Sequence, residues 1–338
     1  MTEQLAVQPE TILRMANAYQ QAATLISACQ LSLFTHLAAG PCSAEELAHR
    51  CDVPLRGLQR LLHACVALGL VEKEGEHYRN APVAAAYLVQ GREGYLGDLV
   101  GGLTAEQYAA WGNLTTAIRQ DAPARLQSGQ GVLSMSDEEI DHYVLGLYNI
   151  GSFSAKVLAA HVDLHSRRRL LDVGGGSGVY AIHLVERYPQ LRATVLDLPP
   201  VVARARRLIT QHRLGDRIEV RAGDYLQDDW GNGYDVVLFS NILQTEGPEV
   251  CQRLLTKAWH ALERGGYVLI NGIMCHPDRV SPPPQTLFSV LMFLYFPQGE
   301  AYPAEEICTW LRTVGFVEPT VVSLPRPSIN TAVLASKP

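Results

Sequence analysis

The sequence has few of the features that mark secreted, membrane or nucleic-acid-binding proteins. Its seven cysteines, an odd number, form no Cys-x-x-Cys pair, which argues against a disulfide framework or a zinc site. The longest apolar run, over residues 290–296, is far shorter than the ~20 residues that span a bilayer. The first ten residues contain no apolar stretch, so no signal peptide is expected. Lys and Arg number 28 against 34 Asp and Glu, and this net charge of −6 offers no general basic surface for nucleic acid.

These absences leave a cytoplasmic globular protein of two domains as the expectation. The 338 residues exceed the usual length of one domain, and 47% of them are hydrophobic. We expect a winged-helix-like domain over residues 1–100, a helical linker over 101–150 that contributes to a substrate pocket, and a nucleotide-binding domain over 151–338. The histidines show no metal-ligand spacing, so no protein-bound metal is expected.

The N-terminal domain has the pattern of a winged helix. Ser43 and Glu46 form a capping box that begins one helix, a second amphipathic helix follows Pro54, and a charged turn at Gly75 indicates a hairpin. DNA binding would need a surplus of basic side chains to neutralise phosphates. Residues 41–80 instead contain five basic and six acidic side chains. We therefore expect a packing and dimerisation module.

A strand, a glycine-rich turn and a helix begin the C-terminal domain. The turn covers residues 174–178, where glycines permit tight backbone geometry and the helix N-terminus favours negative charge. Acidic or polar residues end the next three predicted strands: Asp197, Asp224, and Ser240 with Asn241. In doubly wound sheets these carboxyl ends line the ligand crevice, and an acid such as Asp197 can accept from both ribose hydroxyls. The pattern predicts an α/β domain with a mostly parallel sheet and a nucleotide site.

The glycine spacing separates two kinds of nucleotide ligand. The dehydrogenase fingerprint would place a glycine at Val179, whereas this turn reads G-x-G-x-G. The chain also ends in two predicted strands, over residues 319–325 and 329–336, which form an antiparallel hairpin that is unusual for a dehydrogenase. Both features favour an adenosine ligand that carries a sulfonium.

The segments LLDVGGGSG, VLDLP and AGDY and a strand that begins with Gly-Gly all follow the winged-helix pattern in the chain. Through these segments, the sequence resembles the S-adenosylmethionine-dependent small-molecule O-methyltransferases, which include caffeate and acetylserotonin enzymes. The resemblance covers residues 19–336 and implies a Rossmann-like class I methyltransferase domain. It also implies S-adenosylmethionine as cofactor, a small-molecule acceptor, and a homodimer formed through the N-terminal domain. By position, the cofactor-binding residues it implies are Gly174, Gly176, Asp197, Leu198, Asp224, Tyr225 and Ser240.

The residues that the family's plant members use for general-base catalysis are absent. Gln244 stands at the position of their His, Asn271 at that of the first orienting acid, and Ala301 near the second. A phenol has a pKa of ~10 and attacks well only as phenolate, and glutamine cannot take its proton. Either the acceptor ionises unaided and Gln244 and Asn271 orient it, or another base such as His276 acts, or the nucleophile is carbon.

The apolar segment over residues 287–296 predicts a helix that is apolar nearly all round and therefore buried, as plain core or as a wall of a substrate pocket. The polar segment over residues 119–131 predicts an exposed loop. The candidate substrate-binding residues are Trp111, Tyr108, Tyr148, Asn241, Phe288, Met292 and Tyr295.

The leading hypothesis is methyl transfer to a hydroxyl of a small aromatic or polyketide-like metabolite. Three alternatives stay open. They are methylation of an electron-rich aromatic or enol carbon, a rearrangement, elimination or hydroxylation that retains the cofactor, and a winged-helix regulator with a ligand-sensing domain.

Overall fold

The computed structural model describes residues 9–92, 94–124, 132–133, 135–326 and 328–338. The chain divides into two compact units, Met1–Ala109 and Ala110–Pro338. The helices of the first unit are α1 (Pro9–Gln30), α2 (Leu33–Leu37), α3 (Ala44–Arg50), α4 (Leu55–Ala67), α5 (Pro82–Tyr87), a π-helical segment (Leu99–Thr104) and α6 (Ala105–Trp111), which crosses the division. Its strands are β1 (Cys42–Ser43), β2 (Val71–Glu74) and β3 (His77–Asn80), paired antiparallel in the order β1–β3–β2. The domain limits predicted at residues 100 and 150 stay predictions.

The winged-helix elements of the first unit are confirmed. Ser43 N–H donates to Glu46 Oε2 at 2.9 Å, and Glu46 N–H donates to the Ser43 hydroxyl at 3.2 Å, which is the predicted capping box. Leu58 and Leu62 of α4 are buried, and the β2–β3 hairpin turns Tyr78 inward. These side chains belong to one hydrophobic core, so the hairpin and α4 stabilise each other.

A seven-stranded sheet organises the second unit. Its strands are β4 (Arg169–Val173), β5 (Arg192–Asp197), β6 (Ile218–Ala222), β7 (Tyr234–Ser240), β8 (Leu262–Gly272), β9 (Val317–Ser323) and β10 (Thr331–Ser336). Its helices are α7 (Leu114–Gln120), α8 (Asp137–His161), α9 (Val179–Arg187), α10 (Pro199–Gln211), α11 (Pro248–Ala261), α12 (Pro283–Tyr295) and α13 (Ala304–Val314), with a short 3-10 helix (Leu243–Thr245).

The strand order is β6–β5–β4–β7–β8–β10–β9. The first five strands in this order are parallel, and β10 pairs antiparallel with β8 and β9. This arrangement confirms the predicted Rossmann-like sheet and its C-terminal antiparallel hairpin. Because the chain order reverses between β4 and β7, a crevice is expected at the carboxyl ends of these two strands.

Helices cover both faces of the sheet, which explains why its central strands are almost wholly apolar. On one face, Leu254 of α11 and Leu311 of α13 belong to a core cluster with the strands. On the other face, Leu158 of α8 and Ile182 of α9 belong to a second cluster. The two clusters fix the sheet between helical layers and leave its carboxyl edge as the place for polar side chains.

The 25-residue helix α8 lies against the first turn of α9 and against α10. Arg204 of α10 donates to Asp137 at 2.6 Å and to Asp141 at 2.7 Å, both on the first turns of α8. Farther along α8, a Cβ placed on Gly151 would lie only 2.7 Å from Val179 Cγ1. Glycine at this position therefore permits a close helix–helix approach beside the carboxyl edge of the sheet.

Two predictions need correction or completion. The apolar segment over residues 287–296 does form a helix, α12, but its burial on all sides is wrong, since Leu287 is 56% exposed. Other residues of α12, among them Leu291 and Tyr295, pack into an apolar cluster with Ala110 and Ala117. The predicted loop over residues 119–131 begins with the last two residues of α7, and residues 125–131 lie outside the described part of the chain.

Within the described ranges, no helix is long and apolar enough to cross a membrane. The same residues contain no group of three or more His, Cys, Asp or Glu side chains that could hold a metal ion.

Candidate functional site

The loop between β4 and α9 holds three glycines in left-handed backbone conformations. The φ angles of Gly174, Gly176 and Gly178 are 63°, 57° and 76°, values that favour glycine over residues with a Cβ. Gly174 N–H donates to Leu196 O at 2.8 Å, and Gly176 N–H donates to Asp197 Oδ2 at 2.7 Å. The loop is therefore fastened to the carboxyl end of the neighbouring strand β5.

This glycine loop forms a narrow cradle. A Cβ on Gly174 would clash with Ile242 Cδ1 and lie 3.5 Å from Tyr225 Cδ1. A Cβ on Gly176 would lie 3.2 Å from Leu147 Cδ1. Side chains from α8 and from the segments after β6 and β7 thus surround the loop so closely that only glycines fit between them.

Asp197 ends β5 beside this loop. Its Oδ2 accepts from Gly176 N–H and its Oδ1 accepts from Leu198 N–H, both at 2.7 Å. Burial raises the pKa of Asp197 to about 6, although the two backbone hydrogen bonds oppose the rise. Each oxygen keeps further acceptor capacity, so the carboxylate can accept from two hydroxyl donors of a ligand.

Asp172 is an additional acid of the site that the sequence analysis did not single out. Its side chain, on the next-to-last residue of β4, is fully buried, and neither oxygen has a hydrogen-bond partner among the described residues. Burial, together with the nearby charge of Asp197, raises its pKa to about 7. The sequence could have identified Asp172 as a candidate, because it is an acid in an otherwise apolar strand that leads into a glycine turn. Unsatisfied buried oxygens indicate a site that is completed by a ligand or by water.

Asp224 and Tyr225 follow β6 on the other side of the cradle. Asp224 Oδ1 accepts from Leu226 N–H at 2.8 Å, and the Tyr225 hydroxyl donates to Glu246 Oε1 at 2.7 Å. Lys257 of α11 donates to the Tyr225 carbonyl oxygen at 2.7 Å and so fixes this segment. The glycine loop, the half-buried Asp197 carboxylate and the unsatisfied Asp172 fit an adenosine cofactor with a diol and a cationic group.

A neutral polar cluster occupies the carboxyl ends of β7 and β8. Asn271 is buried, its Nδ2 donates to the Ser240 hydroxyl at 2.8 Å, and its Oδ1 has no partner among the described residues. Asn241 takes a φ of 59°, and its Nδ2 donates to the Tyr180 hydroxyl at 3.2 Å. Tyr180, in the first turn of α9, was missed by the sequence analysis because its contacts come from distant segments. Burial raises the pKa of Tyr180, so this phenol stays protonated.

Gln244 lies on the short helix after β7 and is buried. Glu300 N–H donates to the Gln244 carbonyl oxygen at 2.9 Å, which ties that helix to the segment after α12. A Cβ on Gly272 would lie 2.9 Å from Gln244 Oε1 and 3.9 Å from Asn241 Oδ1, so both amides surround the end of β8. The Glu300 carboxylate itself pairs with Arg279. The site therefore has carboxamide side chains at the positions where the family's plant members have a general base and its orienting acid.

His276 lies in an exposed loop beyond β8. Its backbone N–H donates to Ser281 O at 2.8 Å, and Asp278 accepts from the Ser281 hydroxyl at 2.7 Å, so the loop folds upon itself. Its side chain is exposed to solvent. The catalytic role of His276 stays a prediction.

Four candidate substrate residues come together in one apolar cluster. These are Trp111, Phe288, Met292 and Tyr295. Tyr108 belongs to the first unit and is 41% exposed. The Tyr148 hydroxyl already lies 2.6 Å from His212 Nε2. Substrate binding by all of these residues stays a prediction.

Comparisons with known proteins extend over both units. A model described as the O-methyltransferase domain matches residues 111–317, and one described as the O-methyltransferase dimerisation domain matches residues 13–90. The chain is 35% identical to a 3-hydroxy-5-methyl-1-naphthoate 3-O-methyltransferase of Streptomyces sahachiroi, over 97% of this chain and 95% of the relative. It is 31% identical to a tetracenomycin polyketide synthesis 8-O-methyl transferase of Streptomyces glaucescens, over 98% and 97%. A solved O-methyltransferase family protein from Burkholderia thailandensis matches with a TM-score of 0.87 at 25% identity, over 98% of each chain.

Proposed function

The chain belongs to the O-methyltransferase family, and we propose that it methylates a hydroxyl of a small aromatic or polyketide-like metabolite. The names of the two Streptomyces relatives support this acceptor class, since one acts on a hydroxynaphthoate and the other in polyketide synthesis. The apolar cluster around Met292 and Tyr295 suits a flat acceptor, because ligand pockets are mostly apolar with few polar groups.

The cofactor of this enzyme is S-adenosylmethionine, which when bound supplies a methyl group on a positively charged sulfur. In the proposed site, the Asp197 carboxylate accepts from the ribose hydroxyls and Asp224 accepts from the adenine amino group. Tyr225 flanks the adenine, and the backbone of Gly174 and Gly176 faces the methionine moiety. The family resemblance assigns these roles, and the left-handed glycine loop and the half-buried carboxylate beside it support them.

The observation that carries the mechanistic proposal is the pair of buried carboxamides, Gln244 and Asn271, at the ends of β7 and β8. A carboxamide donates and accepts hydrogen bonds but takes no proton at neutral pH. Both side chains therefore orient the acceptor, and rate enhancement comes mainly from proximity and alignment. Such a site works best on a hydroxyl made acidic by a conjugated carbonyl or carboxyl group, because that acceptor ionises unaided.

The dimerisation-domain match supports a homodimer. Apolar side chains are exposed along α1 of the isolated chain, with Ile12 at 67% and Met15 at 69%. We expect a mass in solution of twice 37.1 kDa by light scattering. A Met15→Glu variant should shift the protein toward monomer, whereas Glu10→Gln on the same helix should not.

Labelled methyl transfer tests the proposed reaction. The protein is incubated with S-adenosylmethionine that carries a deuterated methyl group and with a panel of hydroxynaphthoates and hydroxylated polyketide aromatics, and products are analysed by mass spectrometry. A product that carries the label on oxygen is expected, preferentially from acceptors with acidic hydroxyls. Label on carbon would replace the proposal with C-methylation. Cofactor binding with a mass change but no label would instead indicate the cofactor-retaining alternative.

A further inference from the structure

Five side chains outside the carboxamide site form a continuous hydrogen-bonded relay. Tyr148 OH lies 2.6 Å from His212 Nε2, and His212 Nδ1 lies 2.8 Å from Glu186 Oε1. Glu186 Oε2 lies 2.9 Å from His183 Nδ1, and His183 Nε2 lies 3.1 Å from Ser152 Oγ. Tyr148 and Ser152 come from α8, His183 and Glu186 from α9, and His212 directly follows α10. The relay thus joins three helices.

The chemistry of the relay fixes its protons. Burial alone would raise the pKa of Glu186, but the hydrogen bonds from His212 and His183 outweigh it and hold that pKa below its usual range. An ionised carboxylate only accepts, so each imidazole must donate from Nδ1. Each Nε2 is then an acceptor. The Tyr148 hydroxyl donates a hydrogen bond to His212, and the Ser152 hydroxyl donates one to His183. With both imidazoles neutral, every bond in the relay has one donor and one acceptor.

The relay holds the part of α8 that lies over the glycine loop. Leu147, whose Cδ1 would lie 3.2 Å from a Cβ on Gly176, directly precedes Tyr148. Gly151, which lies against Val179 at the start of α9, directly precedes Ser152. Adjacent residues share one backbone. The hydrogen bonds of the Tyr148 and Ser152 hydroxyls therefore also fix the positions of Leu147 and Gly151 beside the loop.

We propose that the relay from Tyr148 to Ser152 is a positioning device that holds α8 over the glycine loop and thereby sets the affinity for S-adenosylmethionine. The inference rests on the proposed role of the glycine loop in cofactor binding. None of the five residues needs to contact the cofactor, since each acts through α8 or α9.

Protonation of an imidazole reverses its bond to the hydroxyl, because Nε2 becomes a donor and the hydroxyl oxygen must then accept. The charged and titratable groups that face His183 are Glu186 on its own helix, Lys156 on α8, and His212, whose ring centroid is 6.3 Å away. Burial is the main cause that lowers the pKa of His183, and Lys156 and His212 act in the same direction. Neutral His183, with Nε2 as the acceptor, is therefore the form that the relay holds at neutral pH.

A matched pair of Tyr→Phe variants tests the proposal. Tyr148→Phe removes the terminal hydroxyl of the relay and keeps the ring. Tyr188→Phe removes a hydroxyl that also joins α9 to α8, through the carbonyl oxygens of Ala159 and Val162, but at the far end of both helices. The Kd for S-adenosylmethionine is measured by titration calorimetry for the wild type and both variants, together with their melting temperatures.

We expect Tyr148→Phe to raise the Kd by about twofold to tenfold, the range that corresponds to one net hydrogen bond. Tyr188→Phe should lower the melting temperature but leave the Kd within twofold of the wild type. An unchanged Kd in Tyr148→Phe, or an equal rise in both variants, would overturn the proposal. Failure of the wild type to bind would instead contradict the cofactor assignment of the chain.

A measurement on the wild type covers the case in which Tyr148→Phe does not fold. In ¹⁵N-histidine-labelled protein at neutral pH, the nitrogen chemical shifts should show His183 as a neutral Nδ1–H tautomer and His212 with a proton on Nδ1. If either histidine carries its proton on Nε2, the relay does not exist as described. Ser152→Ala, which removes the hydroxyl at the other end, should again raise the Kd without a change in kcat at saturating cofactor.

Discussion

The Asp197→Asn variant separates cofactor binding from folding, because its two effects differ in size. In the proposed site, the carboxylate accepts from both ribose hydroxyls while it also accepts from two backbone amides. Asparagine keeps one acceptor oxygen and loses the charge. One charge-assisted hydrogen bond, worth about 1.5–3 kcal/mol, disappears and the other weakens to a neutral one. The expected total of about 3–4 kcal/mol corresponds to a roughly 100- to 1,000-fold rise in the Kd for S-adenosylmethionine.

The stability of the ligand-free protein should change much less. The burial that raises the pKa of Asp197 from 3.8 to about 6 costs the ionised carboxylate about 3 kcal/mol at pH 7. Asparagine avoids this cost but loses a hydrogen bond to Gly176 or Leu198, which costs about 1–3 kcal/mol. The two terms nearly cancel, so the melting temperature should move by only a few degrees.

Titration calorimetry and thermal unfolding measure both effects. Asp163→Asn is the matched control, since that exposed carboxylate accepts from His165 and lies just beyond the C-terminal end of α8. It should leave the Kd unchanged. A Kd in Asp197→Asn within threefold of the wild type would refute the assignment of Asp197 to the ribose.

Three further predictions concern the acceptor residue, the α8–α9 contact and pH. Gln244→Ala should lower kcat by about 10- to 100-fold if the amide only orients the acceptor. A loss beyond about ten-thousand-fold in steady-state kinetics would indicate acid–base catalysis instead. Gly151→Ala should lower the melting temperature, because the added methyl meets Val179 and overpacking costs about 1–3 kcal/mol. Gly146→Ala on the same helix, where nothing lies near the added Cβ, should raise the melting temperature. Equal shifts in the two variants would contradict this packing. The affinity for S-adenosylmethionine should fall as pH drops through about 6, because Asp197, with its raised pKa, becomes protonated there and no longer accepts with both oxygens. A Kd that stays constant in calorimetry between pH 5 and 8 would exclude ribose binding by this carboxylate.

Local sequence patterns predicted the elements that neighbouring residues determine. The Ser43–Glu46 capping box needs residues three apart, and the glycine turn after β4 needs backbone angles that only glycine adopts easily. The alternation of strands and helices then predicted the sheet, whose carboxyl ends collect Asp197 and Asn271. The glycine spacing favoured a sulfonium-bearing adenosine ligand, and the family resemblance supplied the identity of the cofactor and the reaction type.

Contacts between distant segments could not be read from the sequence. The apolar face of α12 predicted burial, but Leu287 is exposed while Leu291, Leu294 and Tyr295 pack into the cluster with Ala110 and Ala117. Tyr180 reaches Asn241 across 61 residues of sequence, and Tyr148 reaches His212 across 64. These pairs depend on how α8 and α9 lie on the sheet, which hydrophobic periodicity does not specify.

The pH dependence of kcat/KM for a series of acceptors tests the central claim most directly. If Gln244 and Asn271 only orient the acceptor, ionisation of the acceptor itself limits the reaction at low pH. The apparent pKa on the acidic side should then follow the hydroxyl pKa of each acceptor, from acidic hydroxynaphthoates to simple phenols near ~10. An apparent pKa that stays the same for every acceptor would reveal a general base on the enzyme and contradict the account.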